Sequence, residues 1–578
     1  MKRREKPFFT MGGMYILGAA LCILTLALIM VEINVRYRIR EESLLLPERE
    51  TLAAQKQERL EREAQQTPAT LLVTEEGDPT SGNARESLEY LLGQMREPYT
   101  VCDAKDFTPQ ALDSCQRLVL AVSHYQLMGQ TLETLEGWVN AGGSLMIAYP
   151  PDLNGSFVQL QDLLGIQSCG KTIMVEGLHF VRELMIGGTA HDFPIDEPFD
   201  CSMGLTLTDD CEVYLTSTRQ DYPVPLIWRR RAGQGSVVVD NFNIMGKTYL
   251  GIHAAAYSLL GDYCVYPVIN AASFFIDDFP SPIPEGDSAY IERDYHLSIA
   301  DFYSQVWWND VQELSKRWHI PYTGLVIENY SNQIEGDFDR NDDISRYLYF
   351  GNMLLRDGGE IGIHGYNHMP LVLENFDYKD DYNEYIQWPS LGDIRSSLDE
   401  VFAFTQALFP RERLQVYVPL SNILSQEARE ILGSYMQLAA LSELNLHLVS
   451  THFQHPDDVL DEDRGAALGW AELFSRYQAY VEWLYTSAPE IRSLTGSELA
   501  AAVASYDLLT LERQQEAGEI RITLDNFQDE AWLLLRLNEG QEITSVEGGS
   551  AVPVAEQLYL LSCEHSEILV HCEGRQDP

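Results

Sequence analysis

The chain reads as a multidomain α/β protein: an N-terminal transmembrane helix, a doubly wound α/β domain, a β/α barrel and a C-terminal β-sandwich. Three observations predict this. An uncharged apolar run, Met14–Val31, stands near the start and is long enough to cross a bilayer. From about residue 69 to 512, strand-like apolar runs alternate with amphipathic helical stretches, the pattern of parallel sheets linked by crossover helices. Beyond about 516 come short alternating strands separated by polar turns, as in a small sandwich. A length of 578 residues accommodates several such cores.

Lys2, Arg3, Arg4 and Lys6 precede the apolar run, and Arg36, Arg38 and Arg40 follow it. No small-x-small cleavage pattern comes after it, so a signal anchor is expected rather than a cleaved signal peptide. That expectation makes this a single-pass cell-membrane protein with its bulk extracytoplasmic. Basic residues on both flanks bias the orientation only weakly. Residues 41–68, rich in Glu, Gln, Arg and Ala, read as a helical stalk or flexible spacer.

Residues 69–268 are expected to form the doubly wound domain. Thr70–Thr74, Leu118–Val122, Ser144–Tyr149 and Gly235–Val239 read as strands, and Ala84–Met95, Leu132–Asn140 and Tyr249–Leu260 as helices. Gly142 and Gly143 mark a turn. The domain resembles glutamine-amidotransferase-like or flavodoxin-like domains. It carries no GxGxxG or Walker loop, and Ala121-Val122-Ser123-His124-Tyr125 stands where the amidotransferase GxCxG would be. A non-catalytic binding or docking module is expected.

In residues 269–513, strands are expected at Ala272–Ile276, Tyr322–Ile327, Glu360–Ile363, Gln415–Val418 and His447–Thr451. Helices fit Phe302–Trp318, Ile394–Leu408 and Ala467–Ser487. A parallel barrel, closed or incomplete, would gather chemistry at the C-terminal ends of these strands. Residues 514–578 supply the sandwich through Glu519–Leu524, Ala531–Leu537, Leu558–Cys563 and Glu567–Cys572.

Net charge is −47, from 87 acidic and 40 basic residues. A phosphate backbone would be repelled, so nucleic acid is excluded as a partner. An acidic surface suits a cationic polymer such as an amino-sugar polysaccharide, or simply keeps the protein soluble. The nine cysteines form no CxxC pair, which excludes a zinc ribbon or thioredoxin motif. Cys201/Cys211 and Cys563/Cys572 are near enough in sequence to bridge, with connectivity left open.

Two distant motifs carry the chemistry. Phe274-Phe275-Ile276-Asp277-Asp278 ends an apolar strand with paired carboxylates, and Glu360-Ile361-Gly362-Ile363-His364-Gly365-Tyr366-Asn367-His368 spaces two imidazoles four residues apart. One aspartate and two histidines can hold a divalent metal facially and leave positions open for water and substrate. The other aspartate is then available as a base. A late segment, Leu446–Asp458, adds a third imidazole, from His452, which ends the apolar run, or from His455. Asp457 or Asp458 would orient that imidazole. Taken singly, each motif has a blander reading: the aspartates as a turn or helix cap, the histidines as core residues. His447 and the Trp307–Trp308 pair read as packed core. Both motifs and the late histidines fall at strand ends, which favours one shared metal site.

FIDDFP and IHGYNH resemble the first two motifs of the polysaccharide deacetylases, the NodB-homology or family 4 carbohydrate esterases, written TFDD and H-(S/T)-x-x-H. The resemblance covers residues 269–513. It implies Asp277 as general base, Asp278, His364 and His368 as ligands of a divalent metal, often zinc, and a late histidine as general acid, His452 as first choice and His455 as second. It departs at the third motif, where Gln415-Val416-Tyr417-Val418-Pro419-Leu420-Ser421-Asn422 has Tyr417 at the position of an arginine that orients the base. Tyr417 or Asn422 would have to substitute. Gly365 follows the first histidine, and the long Asp-to-His separation implies an insertion at about 285–345. Tyr366 and Trp388 are candidates for a sugar subsite.

The layout is similar to the membrane-anchored deacetylase-like component of bacterial Pel-type exopolysaccharide systems. That likeness implies partial de-N-acetylation of an N-acetylhexosamine-containing polymer in biofilm formation, alongside exopolysaccharide synthase and export proteins. Two alternatives stay open. One is a weak or inactive deacetylase-like protein that binds polysaccharide and scaffolds an export complex. The other is a glycoside hydrolase, which needs two carboxylates flanking the scissile bond.

Overall fold

The computed structural model describes residues 49–574, apart from 64–65, 196–197, 219–221, 281–287, 374–384, 419–440, 461–466 and 517. Two compact units are present, Met1–Ala54 and Gln55–Pro578. Of the first, only residues 49–54 are described, as the start of the Arg49–Glu63 helix. The second is a mixed α/β body with several sheets.

One expectation is corrected. Among the described residues no helix is long and apolar enough to cross a membrane, so the expected transmembrane helix and single-pass membrane location find no support there. Met14–Val31 itself lies outside the described residues. The expected stalk is also different from residue 55 onward. Its helix is docked, not free: Arg59 is buried, Lys56 pairs with Asp507 at 2.7 Å, and Gln66 donates to the Leu511 carbonyl.

The doubly wound layer is a nine-stranded sheet. Tyr99–Asp103, Thr70–Thr74, Arg117–Ala121, Ser144–Ile147 and Gly235–Asp240 run parallel. The sheet continues antiparallel through Pro225–Ala232, Glu212–Ser217, Gly177–Phe180 and Phe193–Pro194. Thr70–Thr74 is buried throughout, as expected for a parallel strand covered on both faces. The helix Pro79–Gln94 begins where Asp78 accepts from the Ser81 amide and proline fills the first turn. The expected turn before Ser144 is real: Gly142 has φ +118°, and a Cβ on Gly143 would lie 2.4 Å from the Trp138 ring.

A continuous apolar cluster joins this layer (Leu72, Leu88) through the Leu250–Ser258 helix (Ile252, Tyr257) to the next sheet (Phe274, Ile276, Val326). That second sheet is parallel, ordered Glu360–Gly365, Thr323–Ile327, Ala271–Phe279, Val449–Gln454, with Arg492–Ser493 paired to Ala271–Ala272. A parallel bridge between Ile363 and Tyr417 extends it. Among the described residues it is an open sheet, not a closed barrel. The helices Trp308–Trp318, Leu391–Leu408 and Trp470–Ser487 lie near their expected bounds.

The C-terminal sandwich packs two four-stranded sheets around Leu511, Ile522, Leu533, Leu561 and Val570. One member strand comes from elsewhere in the chain. Tyr263–Val268, which precedes the site-bearing sheet, pairs antiparallel with Ala531–Leu537. Cys201, Cys211, Cys563 and Cys572 are free thiols, so neither of the suggested bridges forms.

Candidate metal centre

The centre is built at the C-terminal edge of the parallel sheet. In a regular strand Asp277 and Asp278 would point to opposite faces. Asp278 instead adopts a left-handed backbone, φ +51°, and the pairing with Thr323–Ile327 shifts between Ile276 and Phe279. This bulge turns both neighbouring carboxylates toward groups at the sheet's edge. Asp278 then lies 3.8 Å from His364 Nε2 through Oδ1 and 3.8 Å from His368 Nε2 through Oδ2. Asp277 Oδ2 lies 3.2 Å from His455 Nε2.

His364 lies one residue before the end of its strand, Glu360–Gly365, at a second register shift. Its Nδ1–H donates to the Val418 carbonyl at 3.0 Å, which leaves the Nε2 lone pair facing Asp278. Burial lowers its pKa, against the opposing charges of Asp277 and Asp278, so the ring stays neutral, the form that can ligate. Burial raises the Asp278 pKa, and the Asp277 charge adds to that, while His364 acts in the other direction.

One ligand atom from each of Asp278, His364 and His368 lies within 4.8 Å of the others. Oδ1 of Asp277 and Oδ1 of Asp278 are both buried without a hydrogen-bond partner among the described residues. Buried carboxylate oxygens left without donors are costly, and a cation among these groups would satisfy them. Two neutral imidazole nitrogens and a carboxylate oxygen, with further positions open, form a donor set that suits zinc.

The two late histidines have different surroundings. His455 is exposed and bonded to Asp277. Burial alone would lower its pKa, but the Asp277 hydrogen bond and the charges of Asp458, Asp277 and Asp278 outweigh that and raise it. His452, the first choice from sequence, stands level with Phe274 in the parallel register. Its ring stacks on Tyr477 at 4.8 Å and lies 5.5 Å from Tyr480. Burial lowers its pKa to about 4, helped by His455. It is a packed histidine outside the cluster.

Tyr366 is buried and turned away, its hydroxyl donating to Gln333 and to the Asp339 carbonyl, with its ring against Phe338. Trp388 is fully buried and donates to the Pro370 carbonyl, so neither forms a sugar subsite. Tyr417 packs with Ile363, and its buried hydroxyl has no hydrogen-bond partner among the described residues; burial pushes it up to about 12. It does not take over an arginine's bond to Asp277. Asn422 lies outside the described residues. Asp458 is a neighbouring carboxylate whose charge raises the His455 pKa.

Sequence reasoning missed three residues of the presumed insertion and its surroundings. Tyr330 lies against His368. Asn367 donates to the Ser331 and Gln333 carbonyls and ties that loop to the histidine turn. Glu328, wholly buried, accepts from the Asn341 amide. Asn367 sits inside the quoted motif and was open to notice; the other two carry no sequence signal beyond following a strand.

A family model matches residues 189–437 and 433–560, spanning the sheet that bears this centre. The chain belongs to DUF2194, described as an uncharacterised protein conserved in bacteria. Membership in DUF2194 assigns no chemistry. No curated protein matches the sequence. Among solved structures, similarity reaches an exo-β-1,4-mannosidase from Opitutaceae bacterium strain TAV5 at 14% identity and TM-score 0.24, covering 35% of this chain and 37% of that one. A β-galactosidase from Bacillus circulans sp. alkalophilus gives 10% identity and TM-score 0.26, covering 35% and 34%. A cytoplasmic protein from Salmonella typhimurium LT2 gives 12% and 0.25, covering 32% and 95%. The chain thus spans about a third of the two glycosidases, and resemblances of this size assign neither fold nor activity to this DUF2194 member.

Proposed function

We propose that this protein is a metal-dependent de-N-acetylase of an N-acetylhexosamine-containing polysaccharide. The observation that carries the reading is the convergence of Asp278, His364 and His368 on one point beside the Asp277–His455 pair. A zinc ion held by the three ligands would supply Lewis acidity toward an amide carbonyl and acidify a water. Asp277, with one buried oxygen that has no partner among the described residues, takes the proton of the attacking water. His455, whose pKa its carboxylate neighbours raise, gives a proton to the departing amine. Exposure of His455 at the rim leaves room for a chain substrate rather than a small enclosed one.

A second reading is favoured by Tyr417, whose hydroxyl has no hydrogen-bond partner among the described residues: a polysaccharide-binding protein with little or no turnover, serving an export assembly. One experiment separates the two. The purified full chain is assayed for zinc content and for acetate release from N-acetylhexosamine oligomers, with Asp277→Asn and His364→Ala alongside. Near-stoichiometric zinc with acetate release abolished in both variants supports the hydrolase. Zinc without acetate supports the binding role, and absence of zinc sinks the metal reading.

A further inference from the structure

We propose that Tyr303 is a positioning residue for His455, holding from behind the turn that sets this imidazole against Asp277. The proposal rests on the reading of His455 as proton donor given above. His455 directly follows the Val449–Gln454 strand and is exposed, so the backbone that carries it decides where its ring stands. That backbone is a short 3₁₀ turn, Pro456–Val459. The His455 carbonyl accepts from the Asp458 amide at 3.1 Å, and the next carbonyl, Pro456, accepts from the Tyr303 hydroxyl at 2.5 Å. The first bond is local. The second ties the turn to a separate helix, and both Pro456 and Tyr303 are buried.

Tyr303 reaches the turn through an irregularity in its helix. Ile299–Phe302 and Trp308–Trp318 are α-helical, and Tyr303–Trp307 between them is a single π turn. Within it the Trp308 amide donates to the Tyr303 carbonyl, five residues back. In an α-helix residues five apart stand about 140° apart around the axis; the π turn closes that angle and brings Tyr303 and Trp308 to one face. Trp308 is buried, with its ring 6.0 Å from that of Phe279, the residue after Asp278. One helix face therefore meets both flanks of the site, through a hydroxyl on the histidine turn and an indole beside the aspartate strand. The Tyr303 ring is held edge-on by Phe302 at 5.5 Å and Trp307 at 6.0 Å. This packing does not involve the hydroxyl, so Tyr303→Phe isolates the bond to Pro456.

A packing role and a positioning role predict different behaviour. The test compares the zinc-loaded full chain as wild type, Tyr303→Phe, His455→Ala, the double variant and the exposed control Tyr349→Phe. Acetate release from N-acetylhexosamine oligomers is measured in each, beside zinc content. Expected for Tyr303→Phe is a kcat lowered by about 10–100-fold, the scale set by a slightly displaced catalytic group, with KM and zinc content unchanged. In the His455→Ala background the same substitution should cost nothing further, because its effect passes through the missing ring. A second readout needs no turnover: labelling of His455 by diethyl pyrocarbonate, followed by peptide mass spectrometry, should run faster in Tyr303→Phe than in wild type or Tyr349→Phe. An unchanged kcat, an unchanged labelling rate, or a loss as large without His455 as with it overturns the proposal and leaves the deacetylase reading standing. A wild type that releases no acetate overturns that reading instead, and the labelling rate alone then decides for or against Tyr303.

Discussion

His455 Nε2 lies 3.2 Å from Asp277 Oδ2, while His452, three residues earlier in the chain, is stacked on Tyr477 among aromatic rings. The two histidines should therefore respond oppositely to substitution. His455→Ala is expected to lower acetate release by about 10²–10⁴-fold, the usual contribution of a proton donor, with the unfolding midpoint unchanged. His452→Leu should shift stability while turnover persists. Steady-state assays beside thermal melts read both effects, and equal activity losses would remove the distinction.

Zinc should stabilise the folded chain through Asp278, His364 and His368. At a free concentration about 100-fold above Kd, the gain in unfolding free energy is about 2.7 kcal/mol. Asp278→Ala and His364→Ala should show no such gain. Chemical denaturation with and without zinc measures it; an identical gain in the variants would place the ion elsewhere.

Glu328 gives a pH dependence of known sign. Burial pushes its carboxyl up to about 7, against the Asn341 amide bond and the Arg340 charge. The folded state then keeps a proton that the unfolded chain releases at the ordinary carboxylate value, so stability falls as pH rises from about 4.5 to 7. The loss is on the order of 3 kcal/mol. Glu328→Gln should flatten the profile between pH 5 and 8 in the metal-free protein, as seen in denaturant midpoints at both values. An unaltered slope would refute the assignment.

In the doubly wound layer, His253 Nδ1 lies 2.6 Å from Asp240 Oδ2, and Nε2 lies 3.0 Å from the Ile244 carbonyl. Both ring nitrogens face oxygen atoms, an arrangement an imidazolium satisfies, and the Asp240 charge and hydrogen bond raise the His253 pKa against the effect of burial. Asp240→Ala strands the ring's charge and should destabilise the protein by about 3–5 kcal/mol. A loss below 1 kcal/mol in equilibrium unfolding would argue for a neutral ring.

Much of the site was legible because its chemistry sits at element ends. Asp277 and Asp278 close an apolar run, and His364 closes another; both patterns are visible in one dimension. The choice between His452 and His455 was not. The apolar run suggests an end at His452, but the strand continues to Gln454, and pairing with Ala271–Phe279 sets His452 level with Phe274 against a helix. Register is a property of two strands, so one strand's sequence cannot reveal it. The left-handed turn at Asp278 was hidden for a similar reason, since aspartate tolerates both backbones and tertiary contacts decide. Tyr330 reaches the site through a loop, where no periodicity guides the eye. In residues 69–268 the parallel strands Thr70–Thr74, Arg117–Ala121, Ser144–Ile147 and Gly235–Asp240 were readable from alternation, whereas Tyr99–Asp103 and the antiparallel strands were not.

The pairing of Tyr263–Val268 with Ala531–Leu537 makes the sandwich inseparable from the rest of the chain. A protein ended near residue 513 would keep the first of these strands and lose the second, leaving Val265 and its neighbours as an uncovered edge open to other chains. Trimming the C-terminus to isolate the metal-bearing sheet should therefore produce aggregates, and the smallest well-behaved unit must run from the Thr70 strand to the Glu567–Gly574 strand.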